Sequence, residues 1–91
     1  MTRKGLSSAV SKQLGLSQNL VKRVIDRTLL NITESLARGE RVELRNFGVF
    51  SLRIRESKIG RNPRTGRSVF IPSRKVVFFK PGKEMKQRIN R

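Results

Sequence analysis

The sequence contains no histidine, cysteine, tryptophan or tyrosine. These absences exclude imidazole bases, thiolate nucleophiles and the nitrogen or sulfur ligands of most transition-metal sites. Acidic residues are few, and no two of them stand at the spacing that an acid–base or two-metal site needs. The six carboxylates are those of Asp26, Glu34, Glu40, Glu43, Glu56 and Glu84. We therefore expect no enzyme activity, no cofactor and no metal.

Long apolar runs are absent as well. No stretch reaches the roughly 18 apolar residues that would indicate a membrane span. Arg3 and Lys4 are followed by Gly-Leu-Ser-Ser rather than by the hydrophobic core of a signal peptide. We expect the protein to stay where it is made, in the cytoplasm, and the lack of cysteine suits that compartment.

Positive charge dominates what is present. The 91 residues include 22 lysines and arginines against 6 acids, which gives a formal net charge of +16. Such a charge destabilises a small folded body by self-repulsion and is typical of proteins that bind a polyanion. With 35% apolar residues, the chain still has the composition of a folded protein. One domain of this length has a thin core, so we expect it to gain from oligomerisation.

Two helices are predicted at the start of the chain. Apolar residues recur at steps of three and four over residues 3 to 14, between Thr2 as the N-cap and Gly15 as the stop. A longer stripe with the same period begins after Ser17, another good N-cap, and ends at Gly39. The opposite face of this second helix is polar.

After Gly39 the apolar residues recur at every second position. Apolar and charged residues alternate over residues 41 to 45 and again over 50 to 55, which predicts an antiparallel hairpin with one apolar and one charged face. Asn46-Phe47-Gly48 supplies the turn, and Gly48 is the residue expected to adopt a positive φ.

A second, strongly basic hairpin is predicted next. Residues 53 to 75 carry eight basic side chains and one acidic side chain, Glu56. In their middle, Gly60-Arg61-Asn62-Pro63-Arg64-Thr65-Gly66 has the composition of a turn between two strands. These strands hold too few apolar residues to bury themselves. We therefore expect a projecting arm of roughly 20 to 25 Å, from about seven residues per strand at about 3.3 Å each.

The chain is predicted to end in a return strand and a short helix. Residues 76 to 79 form a continuous apolar run, which hides the face that each side chain uses, and Pro81-Gly82 ends it. Residues 83 to 90 predict a short basic helix, with Met85 and Ile89 as its packing contacts. The fold class is α+β: two N-terminal helices, a three-stranded antiparallel sheet with a long protruding β-hairpin arm, and a short C-terminal helix.

One domain, residues 1 to 91, accounts for all of these elements. We divide it into a helical base, a sheet, an arm and a C-terminal helix. Their limits are about residues 1–40 for the base, about 41–56 and 72–80 for the sheet, about 57–71 for the arm and about 83–90 for the helix.

The charge of the arm indicates a function. Arg61, Arg64 and Arg67 lie near its end, and a two-stranded basic ribbon fits the negative potential of a duplex minor groove, where arginine is favoured. Pro63 lies at the tip. It either shapes the turn alone or also acts as an apolar wedge between base pairs.

Several segments are similar to those of a known family. They are Ile32-Thr33-Glu34-Ser35-Leu36, Gly39-Glu40-Arg41-Val42, Asn46-Phe47-Gly48-Val49-Phe50, Gly60-Arg61-Asn62-Pro63-Arg64-Thr65-Gly66 and Phe79-Lys80-Pro81-Gly82-Lys83. Over essentially its whole length the chain resembles the HU and integration host factor family of bacterial DNA-bending proteins. The tip motif and the Phe-Gly-x-Phe turn make the resemblance highly specific.

The resemblance implies an intertwined dimer, either a homodimer or a heterodimer with a related subunit. In it, two helical pairs form a base, two sheets form a saddle, and two arms clasp the minor groove of double-stranded DNA. It also implies a nucleoid-associated, histone-like architectural protein that bends DNA by proline insertion and serves nucleoid organisation and DNA transactions.

The resemblance also assigns roles to individual residues. Pro63 inserts at each kink, and Phe47, Phe50 and Phe79 pack in the dimer core. The residues expected to contact phosphates or the groove are Arg45, Arg53, Arg55, Lys58, Arg61, Asn62, Arg64, Arg67, Arg74, Lys75, Lys80, Lys83 and Lys86.

Two features leave alternatives open. Phe78 departs from the family pattern, in which this position is usually small or polar. We interpret it as packing under the saddle, and the alternative is exposure near the DNA face. Glu43 and Arg45 are similar to a segment with which one integration host factor subunit reads a minor-groove element. Either Arg45, oriented by Glu43, discriminates by groove width, or the two form an ordinary charge pair on a solvated sheet face.

Other classes of function have to be weighed against duplex DNA binding. A structured-RNA-binding protein of ribosomal type is equally small and basic, and few aromatics argue against base stacking but not against recognition by shape. A membrane-surface protein fits less well, because the basic residues concentrate on the sheet and arm rather than along one helix face. We therefore expect double-stranded DNA as the partner and no membrane.

Overall fold

The computed structural model describes all 91 residues, and they form eight helices and strands joined by turns and short links. In chain order these elements are α1 (Arg3–Leu14), α2 (Gln18–Ala37), β1 (Val42–Leu44), β2 (Gly48–Arg55), β3 (Lys58–Arg61), β4 (Ser68–Ile71), β5 (Arg74–Pro81) and α3 (Lys83–Ile89). The α+β class expected from the sequence is confirmed. None of the helices combines the length and the apolar character needed to cross a membrane.

Hydroxyl side chains begin both long helices at the predicted residues. Thr2 Oγ1 accepts a hydrogen bond from the Gly5 N–H at 3.1 Å, and Ser17 Oγ accepts one from the Leu20 N–H at 3.1 Å. Each bond satisfies a backbone donor that the helix itself leaves free. Gly15 follows α1 with a φ of 66°, a left-handed conformation without steric cost for glycine. The predicted limits of the first helix are confirmed.

Strands β1, β2 and β5 form an antiparallel sheet in that order, and its register assigns a face to every side chain. Phe50 lies opposite Val42 on one side and Phe79 on the other. Residues directly opposite each other on neighbouring strands point to the same side of a sheet, so these three share one face, here called the apolar face. The other face of β2 and β5, here called the basic face, carries Val49, Ser51, Arg53, Arg55, Arg74, Val76, Phe78 and Lys80.

The turn from β1 to β2 differs from the prediction. Asn46, not Gly48, has the positive φ, at 69°, a conformation that asparagine tolerates better than most residues. Gly48 is instead the first residue of β2 and is buried. A Cβ built there would lie 2.6 Å from the Phe79 ring and 2.7 Å from the Lys80 carbonyl oxygen. Glycine is therefore needed for the close approach of β5.

Strands β3 and β4 pair with each other in a second sheet, which forms the arm. Four residues pair on each side, fewer than the seven expected, because the ladder is interrupted at residues 56–57 and 72–73. Pro72 lies at this interruption and has no N–H to donate to a ladder. The molecule measures 56 Å along its longest axis and 31 and 29 Å across it, as expected for a projecting arm.

A single chain has very little core. Val21 and Leu36 are its buried apolar side chains, whereas Val24 and Val77 are 56% and 59% exposed. The accessible surface of 8123 Å² exceeds the roughly 5400 Å² typical of a globular protein of this mass. The radius of gyration, 18.6 Å, likewise exceeds the typical value of about 12 Å. Large apolar areas of the helices and the sheet are therefore left without cover.

Helix α3 leaves part of its apolar side uncovered. Met85 is partly buried, whereas Ile89 is 71% exposed in the single chain, so its role as a packing contact stays a prediction. Both residues line an open depression with Phe47. The apolar side of this helix faces the same uncovered region as the Phe47 ring.

Gly48→Ala is expected to lower the free energy of unfolding by about 1 to 3 kcal/mol, because the added methyl group forces β2 and β5 apart. Chemical denaturation at a fixed protein concentration measures this effect. The matched control is Gly5→Ala in α1, where the nearest atom to a new Cβ is Thr2 Oγ1 at 3.5 Å. It should stabilise the protein by roughly 0.5 to 1 kcal/mol. Wild-type stability of the Gly48 variant would contradict the close packing of Gly48 against Phe79 and Lys80.

Candidate nucleic-acid interface

The ion pairs of the chain all lie before residue 44. They join Arg3 to Asp26 at 3.2 Å, Arg38 to Glu40 at 3.2 Å and Arg41 to Glu43 at 3.7 Å. From Arg45 onwards no basic side chain has a carboxylate within 4.0 Å, and the acids of this part of the chain, Glu56 and Glu84, stand apart. The positive charge of β2, the arm, β5 and α3 is therefore not compensated within the chain.

Arg38 shows the opposite situation in the helical part. Its Nε–H donates to Glu40 Oε1 at 3.2 Å, and this hydrogen bond, together with the charge of Glu40, raises the pKa of Arg38. The residue is also the C-cap of α2. Its charge is matched locally and adds little to the basic surface.

The basic face brings several predicted contact residues together. Arg55 lies directly opposite Arg74, and Arg53 is two residues along the same strand. Like charges opposite each other destabilise a sheet, so an anion bound here would relieve an unfavourable arrangement. Lys80 and Lys83 line one shallow depression with Arg53. This depression joins β2, the end of β5 and the start of α3 into one cationic surface.

Other predicted contact residues lie elsewhere. Lys75 is opposite Ile54 on the apolar face. Arg45 lines the depression beside α3 with Phe47. Lys86 is exposed on α3. Strand alternation and the position of α3 therefore distribute the predicted residues over more than one surface.

The tip of the arm is fixed by its own hydrogen bonds. The Asn62 N–H donates to the Arg67 carbonyl at 2.8 Å, and the Gly66 N–H donates to the Asn62 carbonyl at 2.8 Å. Asn62 Oδ1 accepts from the Arg64 N–H at 2.8 Å, and Gly66 has a φ of 70°. The predicted turn is confirmed. Pro63 is exposed at its outer end, and Lys58, Arg61, Arg64 and Arg67 are exposed along the arm.

Phe78 lies on the basic face, so the prediction that it packs under the saddle is wrong. It is opposite Ser51, and the guanidinium carbon of Arg53 lies 3.4 Å from the centre of its ring. The alternation of the strand decides this placement, because the neighbouring Phe79 occupies the apolar face.

Three other aromatic rings meet on the apolar side of the sheet. The ring centre of Phe79 lies 4.7 Å from that of Phe50 and 5.7 Å from that of Phe47, in tilted arrangements that favour aromatic contact. Phe47 is 47% exposed in the single chain. Their place in a dimer core stays a prediction.

The two residues expected to read sequence are not paired with each other. The carboxylate of Glu43 lies 3.7 Å from Arg41, and Arg45 has no ion-pair partner. Arg41 itself lines the cationic depression with Arg53 and Lys80, although it was not among the predicted contact residues. Its position two residues before Glu43 in an alternating strand was the available signal.

The protruding arm and the uncompensated basic surface define a class of small α+β proteins that bind nucleic acid. The family described as "Bacterial DNA-binding protein" matches residues 1–90. The chain belongs to this family, that of HU and integration host factor, whose members are non-enzymatic, histone-like architectural DNA-binding proteins. The resemblance stated from the sequence is confirmed.

Individual relatives agree with this assignment. The β subunit of integration host factor from Methylococcus capsulatus is 46% identical over 85 residues, which are 93% of this chain and 90% of that protein. The α subunit from Ruegeria pomeroyi is 40% identical over 89 residues, covering 98% of this chain and 89% of that one. HU of Anabaena, solved as a co-crystal with DNA, gives a TM-score of 0.93 at 30% identity and covers 98% of this chain and 97% of its own.

Proposed function

We propose that the protein acts as a dimer that clasps duplex DNA in the minor groove between its two arms and bends it. The observation that carries this proposal is the distribution of charge. Every ion pair lies before residue 44, and the basic side chains from Arg45 onwards have no carboxylate partner within the chain. Cations displayed without partners suit a polyanion, because each phosphate contact releases a condensed counterion.

The dimer in this proposal rests on uncovered apolar surface. The 8123 Å² of accessible area is about one half more than a globular chain of 10.5 kDa should expose. The excess accessible surface includes Phe47, Ile89 and the apolar sides of both long helices. The partner is a second copy or a related subunit, and the similarity to both α and β subunits of integration host factor suits either arrangement.

The arm supplies the clasp. It pairs only with itself, carries exposed arginines and ends in a turn whose hydrogen bonds hold Pro63 outward. HU and integration host factor are themselves examples of minor-groove proteins that insert apolar wedges between base steps. In this chain Pro63 is the wedge, and Arg61, Arg64 and Arg67 contact the groove. A protein of this kind would be associated with the nucleoid, in the cytoplasm.

Affinity for DNA should fall steeply with salt. If eight to ten phosphates are neutralised per dimer, the logarithm of the binding constant should fall with the logarithm of salt concentration at a slope of about −7 to −9. Fluorescence anisotropy of a labelled duplex of about 35 base pairs, titrated over a potassium chloride series, gives this slope. A value shallower than about −4 would contradict the proposed surface. Equal or tighter binding to a matched RNA duplex would favour the RNA-binding alternative.

Pro63→Ala should reduce the bend of the DNA more than it reduces affinity, because the wedge is lost while the phosphate contacts remain. Energy transfer between dyes at the two ends of the duplex measures the bend. Pro72→Ala is the matched control, since it removes a proline at the base of the same arm, and it should leave the bend unchanged. A wild-type bend with the Pro63 variant would refute the wedge role.

Sequence reading by Glu43 and Arg45 stays a prediction. Selection of bound DNA from a random duplex pool, with this protein alone at moderate salt, should enrich a motif if the residues read the groove. Arg45→Lys should then weaken the enrichment, because lysine lacks the planar guanidinium. Retention without enrichment would indicate binding without sequence preference, or a protein that needs a partner subunit in order to read a site.

A further inference from the structure

Phe78 is an aromatic ring on a face otherwise made of cations and small or aliphatic side chains. The register places Phe78 opposite Ser51 and Arg53 opposite Val76, so Phe78 and Arg53 are diagonal neighbours across β2 and β5. Diagonal neighbours are within reach of long and aromatic side chains. The other rings of the sheet, those of Phe50 and Phe79, lie on the opposite face.

The contact between the two side chains is close and specific. The guanidinium carbon of Arg53 lies 3.4 Å from the centre of the Phe78 ring, which is the distance of a stacked pair. The ring is partly buried, and the arginine above it is exposed. Arg53 has no carboxylate within 4.0 Å. The ring is therefore the contact that holds this guanidinium, and it does so without neutralising the charge.

This arrangement argues against a direct role of the ring on DNA. A base that stacked on Phe78 would need the face that the guanidinium already covers at van der Waals distance. The outer side of the guanidinium remains free, next to the depression that Lys80 and Lys83 also line. The group presented to a ligand is thus Arg53, and Phe78 is the support beneath it.

We propose that Phe78 is a positioning residue that holds Arg53 ready for a DNA phosphate on the basic face. The inference rests on the proposed DNA-binding function and deepens it. A free arginine side chain samples many rotamers and loses that freedom on binding. An arginine already stacked on a ring loses less, so more of the contact energy appears as affinity.

The test compares variants that keep the total charge. Phe78→Leu removes the ring but retains an apolar side chain, and Phe78→Tyr retains the ring. Phe78→Leu should weaken binding to the duplex about threefold to tenfold and make the salt slope shallower by about 1 to 2, because both Arg53 side chains of a dimer lose their phosphates. Phe78→Tyr should behave as the wild type. A change in salt slope without a change in protein charge is not expected from a packing defect.

Arg53→Gln completes the experiment. If Phe78 acts through Arg53, the double variant Arg53→Gln with Phe78→Leu should bind no more weakly than Arg53→Gln alone. Thermal unfolding of each variant without DNA checks the fold. Phe78→Met replaces Phe78→Leu if that variant does not fold, because methionine also lacks a ring and its flexible side chain fills irregular gaps.

The outcomes separate the inference from the function on which it rests. Wild-type affinity and slope for Phe78→Leu would overturn the inference while leaving DNA binding intact. So would a loss of affinity that adds to that of Arg53→Gln, because the ring would then act independently of the arginine. A wild-type protein that binds duplex DNA weakly, with a shallow slope, would instead overturn the proposed function.

Discussion

The scarcity of buried apolar surface within one chain is the constraint on which the rest of this structure depends. Only Val21 and Leu36 are apolar side chains buried in the protomer, and the accessible surface is about one half larger than that of a typical globular chain of this size. A domain with so thin a core gains most of its stability by covering its apolar faces with a second subunit. In the proposed dimer the helices and the apolar face of the sheet form this shared core. The basic face and the arm are then free to carry charge.

The distribution of charge also differs between the helical part and the part formed by the sheet and the arm. The helical part pairs two of its cations with acids, Arg3 with Asp26 and Arg38 with Glu40. The sheet and arm instead display theirs, and Arg55 even lies directly opposite Arg74 in the register. Self-repulsion of this kind destabilises a free protein and is relieved when a polyanion supplies counter-charge. The stability of the fold and the affinity for DNA are thus coupled through one electrostatic arrangement.

Local rules predicted the elements well and the site only in part. Thr2, Ser17 and Gly15 mark the helix limits because a cap is decided by a few neighbouring residues. The tip around Pro63 follows from the turn chemistry of its own segment in the same way. The placements of Gly48 and Phe78 were wrong, since both depend on the pairing of β2 with β5, in which Gly48 lies opposite Pro81 and Phe78 opposite Ser51.

The sequence by itself determined the class of protein: a lack of histidine and cysteine, a charge of +16, two capped helices and a basic arm with a defined tip. These features are set by composition and by interactions between near neighbours. Only the tertiary structure decided that the Arg53 guanidinium stacks on Phe78 and that Ile89 is left exposed. Each of these depends on strand register or on the packing of distant segments, and a shift of one residue would send every side chain of a strand to the other face.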